Sequence, residues 1–351
     1  MGPLSIFGTW RPPRHKIRFR AASRFRWPAS SCVLSEPVAS DRGPSFLSGD
    51  SLDSVAATER DAPRAEAFPF VPSVSLDTLW FQVSGTLCNL KCTHCLIACS
   101  PTNENHGMLS LADVEARLRE AAALGVREYY FTGGEPFLNP ELPAILEATL
   151  RQGPATVLTN GLLLSPDRCR ELRAISDASD YSLDIRISID GDTAEGNDAI
   201  RGTGTFERIL AGIRNLVGAG LNPVVTVTEA CADAATADGR SRLLEWMRSI
   251  GLVRPRLKVL SLFRIGAEEM RLRGYEPWET LRGRRLIPEE AEALPCSSCR
   301  MVTSRGVYVC PILIEEPDAR MGETLSETLR PFELRHASCF TCHAYGVTCR
   351  T

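Results

Sequence analysis

The order of hydrophobic and polar positions from residue 79 onward predicts alternating strands and helices. Short apolar runs predict six strands, over residues 79–84, 128–132, 155–159, 184–189, 224–228 and 257–262. Between them, apolar residues recur every three or four positions, which indicates helices. Ser110 and Ser165 are placed as helix caps, and Asn139-Pro140 is predicted to open a helix with proline in its first turn. This alternation is typical of βα units around a parallel sheet.

The six predicted units define an α/β fold, a partial (β/α)6 TIM-like barrel with a small cysteine-rich C-terminal domain. In parallel folds of this kind, functional residues gather at the carboxyl ends of the strands. Four segments lie at the carboxyl ends of predicted strands here, over residues 88–95, 133–136, 159–161 and 188–191. We therefore expect these segments to meet on one face of the sheet.

Composition divides the 351-residue chain into three parts. Residues 1–72 begin with a basic stretch in which Glu36 is the single acid of the first forty residues, followed by an aperiodic linker. A transit peptide, a disordered basic tail and an over-extended start site all fit this pattern. Residues 73–285 are predicted to form the barrel and residues 286–351 the cysteine-rich domain. The expected location is cytoplasmic, or organellar if residues 1–40 are a transit peptide.

The net charge and the apolar runs exclude two classes of partner. A formal net charge of −3 argues against a general nucleic-acid binder, which needs a basic surface. No apolar run reaches eighteen residues, so no membrane span is predicted.

The thirteen cysteines are distributed in clusters. A long chain with an odd number of cysteines and no apolar signal region is unlike a disulfide-stapled secreted domain. Cys88, Cys92 and Cys95 form a CxxxCxxC loop directly after the first predicted strand. Three thiolates can hold three irons of a [4Fe–4S] cube and leave the fourth iron open, although the spacing alone also fits a zinc loop. Cys99 is predicted to be a spectator, and His94 to pack without binding metal.

This loop and the strand-end segments after it resemble the radical S-adenosylmethionine (SAM) superfamily. Gly133-Gly134-Glu135-Pro136 is similar to the segment that holds the SAM amino group in that family. The segments ending in Asn160-Gly161 and Asp190-Gly191 also read as ordinary turns, but their joint order favours a role in lining SAM. Arg201 is placed to pair with the SAM carboxylate. The SAM-binding residues that the resemblance implies are Gly133, Gly134, Glu135, Pro136, Thr159, Asn160, Ser188, Asp190 and Arg201.

The C-terminal cysteines are similar to the auxiliary-cluster extensions of the same superfamily, the SPASM and twitch domains. The candidate ligands are Cys296, Cys299, Cys310, Cys339, Cys342 and Cys349. The seven-cysteine SPASM pattern is incomplete, so we expect one auxiliary [4Fe–4S] cluster on four of these six. A zinc site formed by the two CxxC pairs is the alternative.

The resemblance implies an enzyme that reductively cleaves SAM to a 5′-deoxyadenosyl radical and abstracts hydrogen from a substrate. The substrate is expected to be a peptide, a protein or a cofactor precursor, and the electron donor a flavodoxin or ferredoxin. The net reaction, whether that of an oxidoreductase, a lyase or a transferase, stays open. The alternative function is a zinc-binding structural or regulatory protein with no SAM chemistry.

Overall fold

The computed structural model describes residues 67–347, so the predictions for residues 1–66 and for Cys349 lie outside the described part of the chain. The strands are β1 (Phe70–Val71), β2 (Thr78–Gln82), β3 (Glu128–Thr132), β4 (Ala155–Thr159), β5 (Leu183–Ser188), β6 (Val224–Thr228), β7 (Arg256–Leu260), β8 (Cys299–Thr303), β9 (Gly306–Tyr308), β10 (Arg320–Gly322) and β11 (Phe332–Glu333). The helices are α1 (Leu111–Leu124), α2 (Leu142–Thr149), α3 (Pro166–Asp177), α4 (Ala194–Arg201), α5 (Thr205–Gly218), α6 (Ala237–Ser249), α7 (Ala267–Arg271), α8 (Pro288–Ala293) and α9 (Ser338–Tyr345).

Strands β2 to β7 form a parallel sheet in which the spatial order follows the chain order. Leu79 and Phe81 of β2 belong to the large apolar core shared with the helices. Trp80, between them, belongs to a second core and stacks on Tyr130 of β3, with ring centroids 4.5 Å apart. Alternate side chains thus pack on opposite faces, as the pleat requires. The predicted α/β class with a mostly parallel sheet is confirmed.

The helix boundaries follow local capping signals at most positions. Ser110 caps α1 and forms a reciprocal capping box with Asp113, and Ser165 caps α3. The prediction that Asn139-Pro140 opens a helix is wrong, because α2 begins at Leu142. The Asn139 Oδ1 accepts a local hydrogen bond of 2.9 Å from the Glu141 N–H, while its Nδ2 donates hydrogen bonds of 2.8 Å to the carbonyl oxygens of Val83 and Leu109. Asn139 thus makes a local turn contact just before α2, and its distant partners hold it outside the helix.

The cysteine-rich tail extends the same sheet. β8 pairs in parallel with β2, with Thr78 opposite Cys299, and β9 and β10 continue the sheet as antiparallel strands. Strands on both sides of the boundary predicted at residues 285 and 286 thus belong to one sheet. Within residues 67–347, every helix is too short or too polar to traverse a lipid bilayer.

Candidate metal and cofactor site

The cysteine loop lies across the carboxyl end of the sheet and is held by backbone hydrogen bonds from separate parts of the chain. The Cys88 N–H donates to the Ser100 carbonyl at 3.0 Å, and the Thr93 N–H donates to the Ile200 carbonyl at the end of α4 at 2.9 Å. The Ala267 N–H donates to the Cys95 carbonyl at 2.9 Å. Cys88, Cys92 and Cys95 all line one cavity of about 300 Å³. Tertiary contacts thus fix where the three sulfurs stand.

Most of the predicted SAM-binding residues line this same cavity. They come from the ends of β3, β4 and β5 and from α4, and they are Gly133, Gly134, Thr159, Asn160, Ser188 and Arg201. Glu135, Pro136 and Asp190 are buried behind the lining. The fold therefore brings the four sequence segments together, as expected from the parallel topology.

Glu135 is fully buried, and its carboxylate is occupied by its own chain. It accepts hydrogen bonds from the Thr159 hydroxyl at 2.7 Å, the Asn160 N–H at 2.8 Å and the Phe137 N–H at 3.1 Å. Burial raises the pKa of Glu135, and these three donors oppose the rise. The carboxylate joins the end of β3 to the end of β4. Its predicted contact with the SAM amino group stays a prediction.

Gly133 and Gly134 allow the cysteine loop to pass against the end of the sheet. A Cβ on Gly134 would lie 2.1 Å from the Leu87 carbonyl oxygen, and one on Gly133 would lie 2.1 Å from the Ser84 hydroxyl oxygen. The Gly134 N–H donates to the Gly85 carbonyl at 2.8 Å. Only glycine permits such an approach between two backbone segments.

Asp190 connects the cysteine loop to α4 through buried polar contacts. One carboxylate oxygen, Oδ2, lies 2.7 Å from both His94 Nε2 and Arg201 Nε, and Oδ1 accepts a 2.7 Å hydrogen bond from the Thr228 hydroxyl. Burial alone would raise the pKa of Asp190, but the Arg201 charge and the His94 and Thr228 hydrogen bonds lower it well below its usual range. His94, which the sequence analysis assigned only to packing, thus makes a specific polar contact. Arg201 lines the cavity while paired to a carboxylate of its own chain.

The loop thiols have divergent acidities. Burial raises the pKa of Cys88 to about 12 and that of Cys92 to about 11. A hydrogen bond from the Cys99 thiol lowers the pKa of Cys95 to about 6, and the Cys99 N–H also donates to Cys95 Sγ at 3.3 Å. Buried thiolates need a cation beside them, because an isolated buried charge is very costly. The three sulfurs, the glycine cradle and the adjacent cavity therefore fit an iron–sulfur cluster.

A second, apolar cavity in the tail is lined by four cysteines. Cys296 precedes β8, Cys310 follows β9, and Cys339 and Cys342 face the same space from α9. Burial raises the pKa of Cys310 and Cys339 to about 12, and neighbouring thiols add to the rise. Cys299 is buried on β8 outside this lining. Four of the five tail candidates within residues 67–347 thus line one cavity, and the charge of the fifth, Cys299, raises the pKa of the Cys310 thiol from nearby.

Comparison with known families decides what kind of domain carries the loop. The model described as the radical SAM superfamily matches residues 83–230. Residues 83–230 belong to the radical SAM superfamily. The match begins in the segment that leads into the cysteine loop and extends just past β6, so it includes every predicted SAM-binding residue. The resemblance stated from the motifs is confirmed.

Curated relatives are similar to parts of this chain. The mycofactocin maturase MftC of Mycobacterium tuberculosis is 37% identical over 134 residues, which cover 38% of this chain and 32% of MftC. The chain thus spans about a third of the length of that relative. A GTP 3′,8-cyclase of Rhodopseudomonas palustris is 24% identical over 264 residues, covering 75% of this chain and 71% of the cyclase.

Two solved structures share the fold. A structure of anSMEcpe with bound AdoMet aligns with a TM-score of 0.52 at 16% identity, covering 72% of this chain and 79% of that one. Streptococcus suis SuiB bound to the precursor peptide SuiA aligns with a TM-score of 0.56 at 15% identity, covering 74% and 65%. At these identities the likeness concerns the fold.

One residue of the cavity was missed by the sequence analysis. Arg186 of β5 lines the cavity and is only 2% exposed. The sequence did contain a signal: Arg186 alternates with Ile185 and Ile187 in a predicted strand, so its side chain shares a face with Ser188.

Proposed function

We propose that the chain is a radical SAM enzyme that holds a [4Fe–4S] cluster on Cys88, Cys92 and Cys95. The observation that carries the proposal is that these three cysteines and the segments from three strand ends line one cavity. Such a cluster, when bound, supplies the electron that cleaves SAM and so gives a 5′-deoxyadenosyl radical able to take hydrogen from a substrate. Three protein thiolates leave one iron open, which separates a reactive centre from a structural one.

The chain's own residues bind and orient in this proposal. Gly133 and Gly134 let the cysteine loop lie against the turn after β3, and Glu135 fixes that turn beside the cavity. Asp190 holds Arg201 and His94 in place beside the loop. The Arg201 charge next to Cys92 favours the thiolate form that an iron requires.

We further propose one auxiliary iron–sulfur cluster on Cys296, Cys310, Cys339 and Cys342. The support is their common cavity and its apolar walls, which include Leu294, Val309 and Phe332. Four thiolates complete the ligation of a [4Fe–4S] cube, so this cluster would have no open iron. Zinc on the same four sulfurs is the competing occupant, and metal analysis separates the two.

The substrate class we propose is a peptide, with a cofactor precursor as the second candidate. The peptide is supported by the maturase relative and by the fold shared with SuiB bound to its precursor peptide. The second candidate is supported by the GTP 3′,8-cyclase relative, whose match extends over more of the chain. A flavodoxin or ferredoxin is the proposed electron donor.

The proposal is tested by anaerobic reconstitution, iron and sulfide assay, and incubation with SAM and dithionite. We expect a brown protein that releases 5′-deoxyadenosine. Cys92→Ala should lower that release at least a hundredfold, because the variant loses a thiolate that carries iron. Cys169→Ala is the matched control, because this thiol is buried on α3 away from the cavity lining.

Two outcomes contradict the proposal. A colourless protein that retains zinc and forms no 5′-deoxyadenosine would support the structural alternative. Full SAM cleavage by Cys92→Ala would show that the loop is misassigned. Cys99→Ala should keep the iron of the loop cluster, and a loss of that iron would make Cys99 a ligand.

A further inference from the structure

Arg186 places a buried cation inside the cavity. Its side chain comes from β5, it lines the cavity together with the three loop cysteines, and it is 2% exposed. Its Nε and Nη2 atoms are buried and have no hydrogen-bond partner among the described residues. These two nitrogens form one edge of the planar guanidinium, the edge that binds a carboxylate in a bidentate manner.

The acidic groups nearest to Arg186 are committed to other partners. Asp184 accepts hydrogen bonds of 2.6 and 3.0 Å from Arg256. Glu128 accepts hydrogen bonds from the Thr78 hydroxyl at 2.9 Å and the Tyr130 hydroxyl at 3.0 Å. Both carboxylates raise the pKa of Arg186 through their charge, but the Nε and Nη2 atoms of the guanidinium stay without a hydrogen bond among residues 67–347.

The guanidinium packs over the Tyr130 ring, whose centroid lies 5.3 Å from the Arg186 Cζ atom. A cation–π contact recovers only part of the cost of removing an arginine from water. Burial lowers the pKa of Arg186, but an arginine remains protonated in proteins. A buried guanidinium whose Nε and Nη2 atoms lack hydrogen bonds is best explained by an anion that binds from outside the chain.

Depth in the barrel separates Arg186 from the predicted SAM segments. It precedes Ser188 by two residues, which places it roughly 7 Å below the strand end at about 3.3 Å per residue. Trp80, whose indole nitrogen also lacks a partner among residues 67–347, lines the same cavity. The surrounding walls are apolar and include Leu158, Met301 and Ile312.

We propose that Arg186 binds a carboxylate group of the substrate at the floor of the cavity. This inference rests on the proposed function, because it treats the cavity as a substrate site below bound SAM. For a peptide, the carboxylate is either the chain terminus or an acidic side chain, and both present the same planar acceptor. The guanidinium edge would bind it in a bidentate manner and hold the adjoining carbon in a fixed orientation.

The test is calorimetric titration of the reconstituted, unreduced protein with matched probes. N-acetyl-L-leucine carries a terminal carboxylate, N-acetyl-L-glutamic acid α-amide carries a side-chain carboxylate, and N-acetyl-L-leucinamide carries none. We expect one of the two acids to bind at least tenfold more tightly than the amide. The stronger acid identifies the source of the carboxylate.

Arg186→Met should abolish the preference for the acid, and Arg186→Lys should retain part of it. Arg186→Met should keep or raise the thermal midpoint, because it replaces an unpaired buried cation with an apolar chain. Arg173→Gln, which alters an exposed ion pair on α3, is the control and should bind like the wild type.

Three outcomes overturn the inference. The first is that the wild type binds the acids and the amide equally or binds none of them. The second is an unchanged preference for the acid in Arg186→Met, and the third is displacement of the acids by millimolar inorganic phosphate, which would indicate a phosphoryl site. A weaker SAM affinity in Arg186→Met with normal acid binding would assign the arginine to SAM. If the wild type prefers an acid but releases no 5′-deoxyadenosine, the carboxylate site stands and the proposed function fails.

Discussion

Asp190 shows how much of the cavity's organisation depends on single buried charges. Its carboxylate contacts His94, which is 96 residues earlier in the chain, and also pairs with Arg201. The Asp190 carboxylate and the Arg201 guanidinium are almost completely removed from water. Charges in such a place are tolerated because each satisfies the other, and loss of either leaves the remaining one unpaired.

Replacing Asp190 with asparagine should therefore be strongly destabilising. We expect a loss of about 3–5 kcal/mol in the free energy of unfolding, because Arg201 would keep its charge without a partner. Chemical denaturation of wild type and Asp190→Asn measures this difference. Asp167→Asn, at an exposed ion pair with Arg170, should change stability little. Equal losses in the two variants would contradict the argument.

At the scale of elements, the parallel strands do the positioning. The sequence pattern predicted β3, β4 and β6 with the boundaries that the structure has, and the other three core strands within two residues. The four candidate segments lie at or just after the carboxyl ends of β2, β3, β4 and β5. The cysteine loop also packs closely against the turn after β3. The loop occupies the space that a side chain at Gly133 or Gly134 would need.

That contact predicts that Gly134→Ala impairs cluster assembly. The added Cβ would meet the Leu87 carbonyl oxygen at 2.1 Å and the Cys88 Cβ at 2.7 Å, so the loop must move. We expect the variant to take up less than half of the loop-cluster iron on reconstitution. Iron assay and the absorbance of the cluster measure this effect.

Gly218→Ala, at the end of α5, is the matched control, because a Cβ there would have no atom of residues 67–347 within 4 Å apart from its own helix and chain neighbours. It should retain its iron and gain up to about 1 kcal/mol of stability from helix propensity. Normal iron uptake by Gly134→Ala would mean that the loop has room to adjust.

At the scale of the whole molecule, the pairing of β8 with β2 brings the tail to the barrel. Met301 of β8 and Ile312 line the barrel cavity, while Cys310 lines the tail cavity two residues before Ile312. Trp80 and Met301 also share an apolar core with Leu313 and Phe332. The two proposed metal sites are therefore parts of one packed unit.

This arrangement predicts which tail cysteines carry metal. Cys310→Ala should lower the iron content of the reconstituted protein by about four atoms per chain if the tail holds a [4Fe–4S] cluster. Cys299→Ala should keep that iron, because its side chain lies outside the four-cysteine cavity. Mössbauer spectroscopy and iron assay distinguish the two variants. The assignment would be overturned if Cys299→Ala lost the iron and Cys310→Ala kept it.

The sequence by itself determined the α/β class, the six core strands to within two residues and the spacing of the loop cysteines. These features depend on near neighbours: the period of apolar residues, capping side chains such as Ser110 and Ser165, and the spacing within one loop. The departure of α2 from its predicted start marks the limit of such signals, since Asn139 bonds to carbonyls far away in the chain.

Only the tertiary structure decided which distant groups meet. It joined His94 to Asp190, selected four tail cysteines for one cavity, and left the Arg186 edge without a partner in the described chain. The physical reason is that burial and pairing of charges depend on packing between segments far apart in sequence. The energy of a polar group is set by the surroundings that this packing creates.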